Sequence, residues 1–186
     1  MKVQNKLQLL KQAVLSICLV LLTVQAHAKE TLDSDVVDQW LATTKAVIPM
    51  RDVFERISEE SEIAQKYSQD EFKAMDQDEQ DKLLDQLLKD EGVYDEVYEV
   101  LDANDWDNAG SYVRVSERMA QGIQVHMQNM MLKNLPAEQA QMVKEMMGGD
   151  VEADPKDVEV ISKNWGKISR FIGENIDTSQ LPSMGQ

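Results

Sequence analysis

The chain has 186 residues, with 34 acidic against 19 basic side chains, a formal charge of −15 and a single cysteine. Such a surface repels nucleic-acid phosphate and anionic lipid, which excludes polyanion binding as a main activity. One cysteine also excludes an intrachain disulfide and any cysteine-rich metal site.

The first 28 residues read as a secretory signal peptide. Lys2, Lys6 and Lys11 supply a basic start, Ala13 to Val24 (AVLSICLVLLTV) an apolar core, and Ala26-His27-Ala28 a small-residue cleavage site. This is the order that export machinery reads. The apolar core falls short of the ~20 residues a bilayer-spanning helix needs. Cleavage after Ala28, a periplasmic location and no membrane insertion after cleavage are therefore expected. Cys18 leaves with the leader, and so do three lysines, which takes the charge from −15 to −18. The remaining residues, 29–186, suffice for a single helical domain with its own core.

Helical spacing dominates the mature part. Val37, Trp40, Leu41, Thr44, Val47 and Ile48 form one stripe on a 3.6-residue period, with Asp33, Ser34 or Asp35 to cap its start. Pro49 predicts a kink or break, after which Met50, Val53, Phe54, Ile57, Ala64 and Tyr67 resume the rhythm. Ser68 with Glu71 matches a capping box, and Asp76 offers a similar cap before Leu83, Leu84, Leu87 and Leu88. Gly92 suits the end of that helix, and Tyr94, Val97, Tyr98 and Leu101 make a short stripe.

The longest predicted helix carries Tyr112, Val115, Met119, Ile123, His126 and Met130, with Val113, Ala120, Met127 and Met131 beside them. So wide an apolar face suits a helix central to a bundle. Leu135-Pro136 marks a break and Met142, Val143, Met146 and Met147 line the next helix, which Gly148-Gly149 ends. Asp154-Pro155 starts the last, with Val158, Ile161, Trp165, Ile168 and Ile172 as its core stripe. From about residue 177 the tail has little to bury and is expected to fray. No alternating strand pattern occurs, so the expected fold is all-α, an irregular bundle of about five to seven helices.

The stretch LDANDWDNAGSYVRVSERM, residues 101–119, gathers oxygen ligands and a glycine in the manner of a calcium loop. An EF-hand loop counted from Asp105 has Asp107 at position three and Gly110 at six. It has Ala109 at five and Ser116 at twelve, where a bidentate glutamate belongs. A loop counted from Asp102 puts Trp106 at five and no glycine at six. A helix start is the better reading. Asp105, Asp107 and Asn108 can accept from the free amides of a helix beginning near Ala109, and Trp106 can fold back on Tyr112 or Val113.

The order Asp105-Trp106-Asp107, Tyr112, Val115, Arg118, Met119 resembles a pattern of small exported all-helical proteins of Gram-negative bacteria. VVDQWLATTKAVIPMRD is similar to their first helix. The resemblance implies a fold and a location and no activity. Trp106, Asp107, Tyr112 and Arg118 are its structural residues, with Arg118 expected to bridge to an acid of the cap region or of the first helix. Leu135-Pro-Ala-Glu-Gln139 is similar to the LTxxQ motif of periplasmic stress chaperones, with Pro136 in place of the threonine and no second copy at the right spacing.

His126, Met127 and Met130 are candidate metal ligands, with Met119, Met131, Met142, Met146 and Met147 in support. Thioethers and an imidazole suit reduced copper, because soft ligands prefer soft metals. The competing reading is core packing, since methionine at helical spacing commonly fills irregular gaps. The mature chain has one histidine, no cysteine and no glycine-rich phosphate loop, so the common nucleophile constellations cannot be assembled. No catalytic residue and no cofactor is expected. The expected role is non-enzymatic, binding a protein partner or maintaining the envelope; a stress-type chaperone or a Met/His copper binder are the alternatives.

Overall fold

The computed structural model describes residues 31–133, 135, 136, 139 and 153–175. The expected signal peptide, the methionines at 142, 146 and 147, Gly148-Gly149 and the tail from 177 lie outside the described residues. The described part is all-α and contains no strand. Its helices are α1 (Ser34–Val47), α2 (Arg51–Glu60), α3 (Glu62–Lys66), α4 (Gln69–Ala74), α5 (Gln77–Asp90), α6 (Tyr94–Asp102), α7 (Ala109–Leu132) and α8 (Pro155–Asn175). Setting aside α3 and α4, of five and six residues, leaves six helices, within the expected five to seven.

Local chemistry sets the helix ends. Asp33 caps α1, its side chain accepting from the Asp35 and Val36 amides at 2.9 Å. Pro49 sits in a 3-10 turn, Ile48–Met50, that separates α1 from α2. The expected run through Ala64 and Tyr67 is broken at Ser61. Its backbone is extended, and its hydroxyl accepts from the Ile63 and Ala64 amides to start α3. The Ser68–Glu71 capping box is formed in both directions. Asp76 accepts from the Glu79 amide at 2.8 Å to start α5. Gly92, at φ +71°, follows the end of α5 in the left-handed region that a side chain disfavours. Asp154 accepts from the Lys156 amide at 2.8 Å, and Pro155 opens α8. Each such cap contributes ~1 kcal/mol.

The core is one cluster. Val37, Trp40, Val115, Met119, Ile161 and Ile168 lie at its centre, with Leu88, Val97 and Leu101 joining from α5 and α6. α7 and α8 meet in a regular ladder: Arg118 faces Asp157, Gly122 faces Ile161 and His126 faces Trp165. Both numbers rise together by four at each rung, so the two helices run parallel. Helices joined by short loops pack antiparallel.

α8 also runs alongside α1. Asn164 donates to Ser34 Oγ at 3.1 Å, Lys167 pairs with Asp38, and Phe171 lies against Trp40 at 6.2 Å between ring centroids. Trp40 is the hub of the three helices, because its indole N–H also donates to Ser116 Oγ of α7 at 2.9 Å. α5 and α6 form an antiparallel pair joined through Tyr98 and Asp85.

Candidate functional site

The start of α7 is a clamp rather than an ion site. Asn108 is the N-cap and forms a reciprocal box with Ser111: the Ser111 amide donates to Asn108 Oδ1 at 2.8 Å, and the Asn108 amide to Ser111 Oγ at 3.3 Å. This corrects the expectation that the acids Asp105 and Asp107 serve the helix start. Asp107 is exposed and takes no part in the cap. Asp105 adopts φ +58°, a left-handed conformation that aspartate tolerates better than most residues. The Gln39 amide donates to the Asn104 and Asp105 carbonyls at 2.8 and 3.0 Å, which ties this turn to α1.

Trp106 is buried, and its indole meets Tyr112 edge-on at 5.5 Å, as expected of a tryptophan folding back on the helix it precedes. Its N–H donates to Thr43 Oγ1 at 2.7 Å, and Thr43 in turn donates to the Gln39 carbonyl. Tyr112 OH shares a hydrogen bond with Thr44 Oγ1 at 3.1 Å. Buried polar groups of this kind are held because each has a partner. The threonines of α1 were invisible as a motif; Thr44 stood on the apolar stripe, and Thr43 gave no signal.

A second polar cluster joins α5 to α7. Arg114 is buried and donates to Asp81 at 2.5 Å, and Asn108 Nδ2 donates to the same carboxylate at 3.1 Å. The Gln77 amide, turned so that its oxygen faces Arg114, accepts from Nη2 at 2.7 Å and Nε at 3.2 Å. Asp81 is seated so closely that a Cβ on Gly110 would lie 1.8 Å from its Oδ1. Nearby, Tyr98 donates to Asp85 at 2.5 Å. Burial, then the bond to Asp85 and its charge, push the Tyr98 phenol well above its ordinary value.

Arg118 does not bridge to the cap region or to the first helix. It makes a two-pronged pair with Asp157 of α8, Nε to Oδ2 at 2.8 Å and Nη2 to Oδ1 at 2.6 Å. Asp157 is almost fully buried. The bidentate fork is the geometry in which arginine recognises a carboxylate best.

The remaining candidates lie toward the far end of α7. The His126 ring is tilted against the Trp165 indole at 4.6 Å. Its Nε2 is buried and is the one such side-chain atom without a hydrogen-bond partner among the described residues. Burial holds the imidazole below its ordinary pKa, so the neutral ring is favoured. Met127 is half-buried against the core. Met130 was placed on the core stripe by its spacing, yet it is 43 % exposed, and Met131 beside it is 38 % exposed. These two are the exposed large hydrophobics among the described residues, whereas Met50 and Met119 are buried. The spacing was correct. Continuing the α7–α8 register by one rung would bring Met130 level with Ser169, a small polar residue with little apolar surface to offer it.

Among the described residues no three His, Cys, Asp or Glu side chains gather as a metal site, and no helix is long and apolar enough to cross a membrane. No protein-family model, curated relative or solved structure matches the chain.

Proposed function

We propose that this chain is exported to the periplasm, loses residues 1–28, and acts there as a non-enzymatic helical binding protein for a protein partner. The single observation that carries this reading is the exposed pair Met130–Met131 toward the end of α7, the other large apolar side chains among the described residues being buried or half-buried. Methionine is flexible and polarisable, and such surfaces adapt to apolar partner segments. The acidic balance of the chain disfavours phosphate-rich partners. The resemblance of the first helix and of the Trp106–Arg118 segment to small exported helical proteins supports the location.

Photocrosslinking in living cells tests the reading. A crosslinker is placed at residue 131 and, as a control, at the exposed Glu59 of α2. One discrete adduct from residue 131 and none from 59 supports a dedicated partner. A smear of many adducts from residue 131 favours the chaperone reading, which shares the LTxxQ-like segment and the same methionine surface. Adducts of equal strength from both positions overturn both. Fractionation with N-terminal sequencing, expected to begin at Lys29, tests the location.

A further inference from the structure

We propose that His126 and Met130, beside the indole of Trp165, form a binding site for copper(I). Sequence spacing alone left these residues divided between core and metal; three structural observations now favour the ion.

The first is the unpartnered nitrogen. A histidine built only to fill the core is expected to find a hydrogen-bond partner for its buried nitrogen. His126 Nε2 has none among the described residues, although Trp40 and Trp106 each place their ring N–H on a hydroxyl. The second is the exposure of Met130. His126 and Met130 are four residues apart on α7 and therefore neighbours on one helix face. Their side chains can converge on one ion, and the exposed thioether leaves a route from solvent. Met127, three residues before Met130, is a second sulfur within the same turn of helix.

The third observation is Trp165. Its ring centroid lies 4.6 Å from that of His126, so an ion on the imidazole would sit near an indole face. A cation is attracted to that face by the ring quadrupole, most strongly for tryptophan among the aromatic residues. The donors are one imidazole and neutral thioethers, a soft set that suits monovalent copper and gives little to magnesium, calcium or zinc. Metal binding needs the neutral imidazole, which burial already favours here. The negative charge of the whole chain raises the local concentration of any cation.

The site shares Met130 with the surface that carries the partner-binding reading, whereas Met131 belongs to that surface alone and is outside the ligand set. The test is an anaerobic copper(I) titration of the full chain, produced in an exporting host, against a competing chromophoric chelator. The unmodified protein is expected to withdraw one equivalent of copper. His126→Phe and Met130→Leu, which keep bulk and apolarity, are each expected to weaken binding at least tenfold, and Trp165→Phe several-fold. Met131→Leu is expected to bind as the unmodified chain does. Silver(I) added to the unmodified protein should shift the imidazole NMR signals of His126 and the methyl signal of Met130, a readout free of any folding defect in the variants. Failure of the unmodified chain to withdraw copper, affinity in His126→Phe within twofold of the parent, or unmoved His126 signals would overturn the proposal.

Discussion

Arg118 and Asp157 form a two-pronged ion pair that fixes one rung of the parallel α7–α8 ladder. Its surroundings decide its energetic role. The Asp157 side chain keeps 5 % of its exposure and that of Arg118 keeps 22 %, so removing the arginine strands a poorly hydrated carboxylate. The pair as a whole need not stabilise, because desolvation opposes the attraction. Breaking it is another matter. Arg118→Met is expected to destabilise by about 3 kcal/mol, the low end of the range for breaking a buried pair. Arg118→Met combined with Asp157→Leu should recover most of that loss. Urea unfolding with an unchanged slope and a shifted midpoint measures both.

Gly110 and Asp81 make a second close relationship, between α7 and α5. A methyl at Gly110 would meet a carboxylate held from two sides by Arg114 and Asn108. The carboxylate is tethered, so it cannot swing aside freely. Gly110→Ala is expected to cost ~1–3 kcal/mol, the usual range for overpacking, despite alanine's higher helix propensity. Asp81→Ala also destabilises, by leaving Arg114 buried without its acid. In the double variant the clash is gone, so the combined loss should be smaller than the sum of the two single losses. Additive losses in thermal unfolding would show that the cost of a side chain at Gly110 does not come from Asp81.

Much of this architecture was legible because it rests on local chemistry. Asp33, Ser68, Asp76, Gly92 and Pro155 each act at a helix end through a neighbour at most a few residues away, and each stands where spacing placed it. The capping of α7 was read to within one residue: Asn108 competed with two nearby acids, and only the fold back to Ser111 separates them. The distant partners were not legible. Nothing in the order of residues says that α8 runs parallel to α7, so Arg118 could not be matched with Asp157 in advance. Nor could Thr43 be matched with Trp106 or Asp81 with Gly110. Exposure at Met130 was hidden for the same reason: a helical stripe shows which face is apolar, and only the partner helix shows where its cover ends.

Tyr98 gives the chain a testable response to alkali. Its phenol donates to Asp85, and burial together with that bond raises its pKa above the ordinary tyrosine value. The unfolded chain loses this proton first as the pH climbs through about 10. Between that pH and the raised folded value the unfolded state binds fewer protons. The native state is therefore progressively destabilised as the pH rises, and the contribution is complete below about pH 10. Absorbance at 295 nm is expected to show one of the four tyrosines remaining protonated through the main phenol transition. Tyr98→Phe should lose the bond to Asp85 yet show a shallower decline in stability above pH 10 than the parent. An identical slope in the two proteins would show that Asp85 does not hold the phenol.

Met119 and Met130 share a face of α7 and should respond to mutation in opposite ways. Met119 is fully buried among Val115, Ile123 and the core of α8, whereas Met130 is 43 % exposed. Met119→Ala removes packed atoms and leaves a cavity, with an expected loss of ~2–5 kcal/mol. Met130→Glu places a charge where solvent already reaches and is expected to change stability by no more than ~0.5 kcal/mol. The same contrast should appear under mild peroxide: mass spectrometry is expected to find sulfoxide first on Met130 and Met131, and on Met119 only under conditions that unfold the chain. Early oxidation of Met119 would mean that the core around it is open, and a large loss of stability in Met130→Glu would mean that the surface assigned to a partner is already covered.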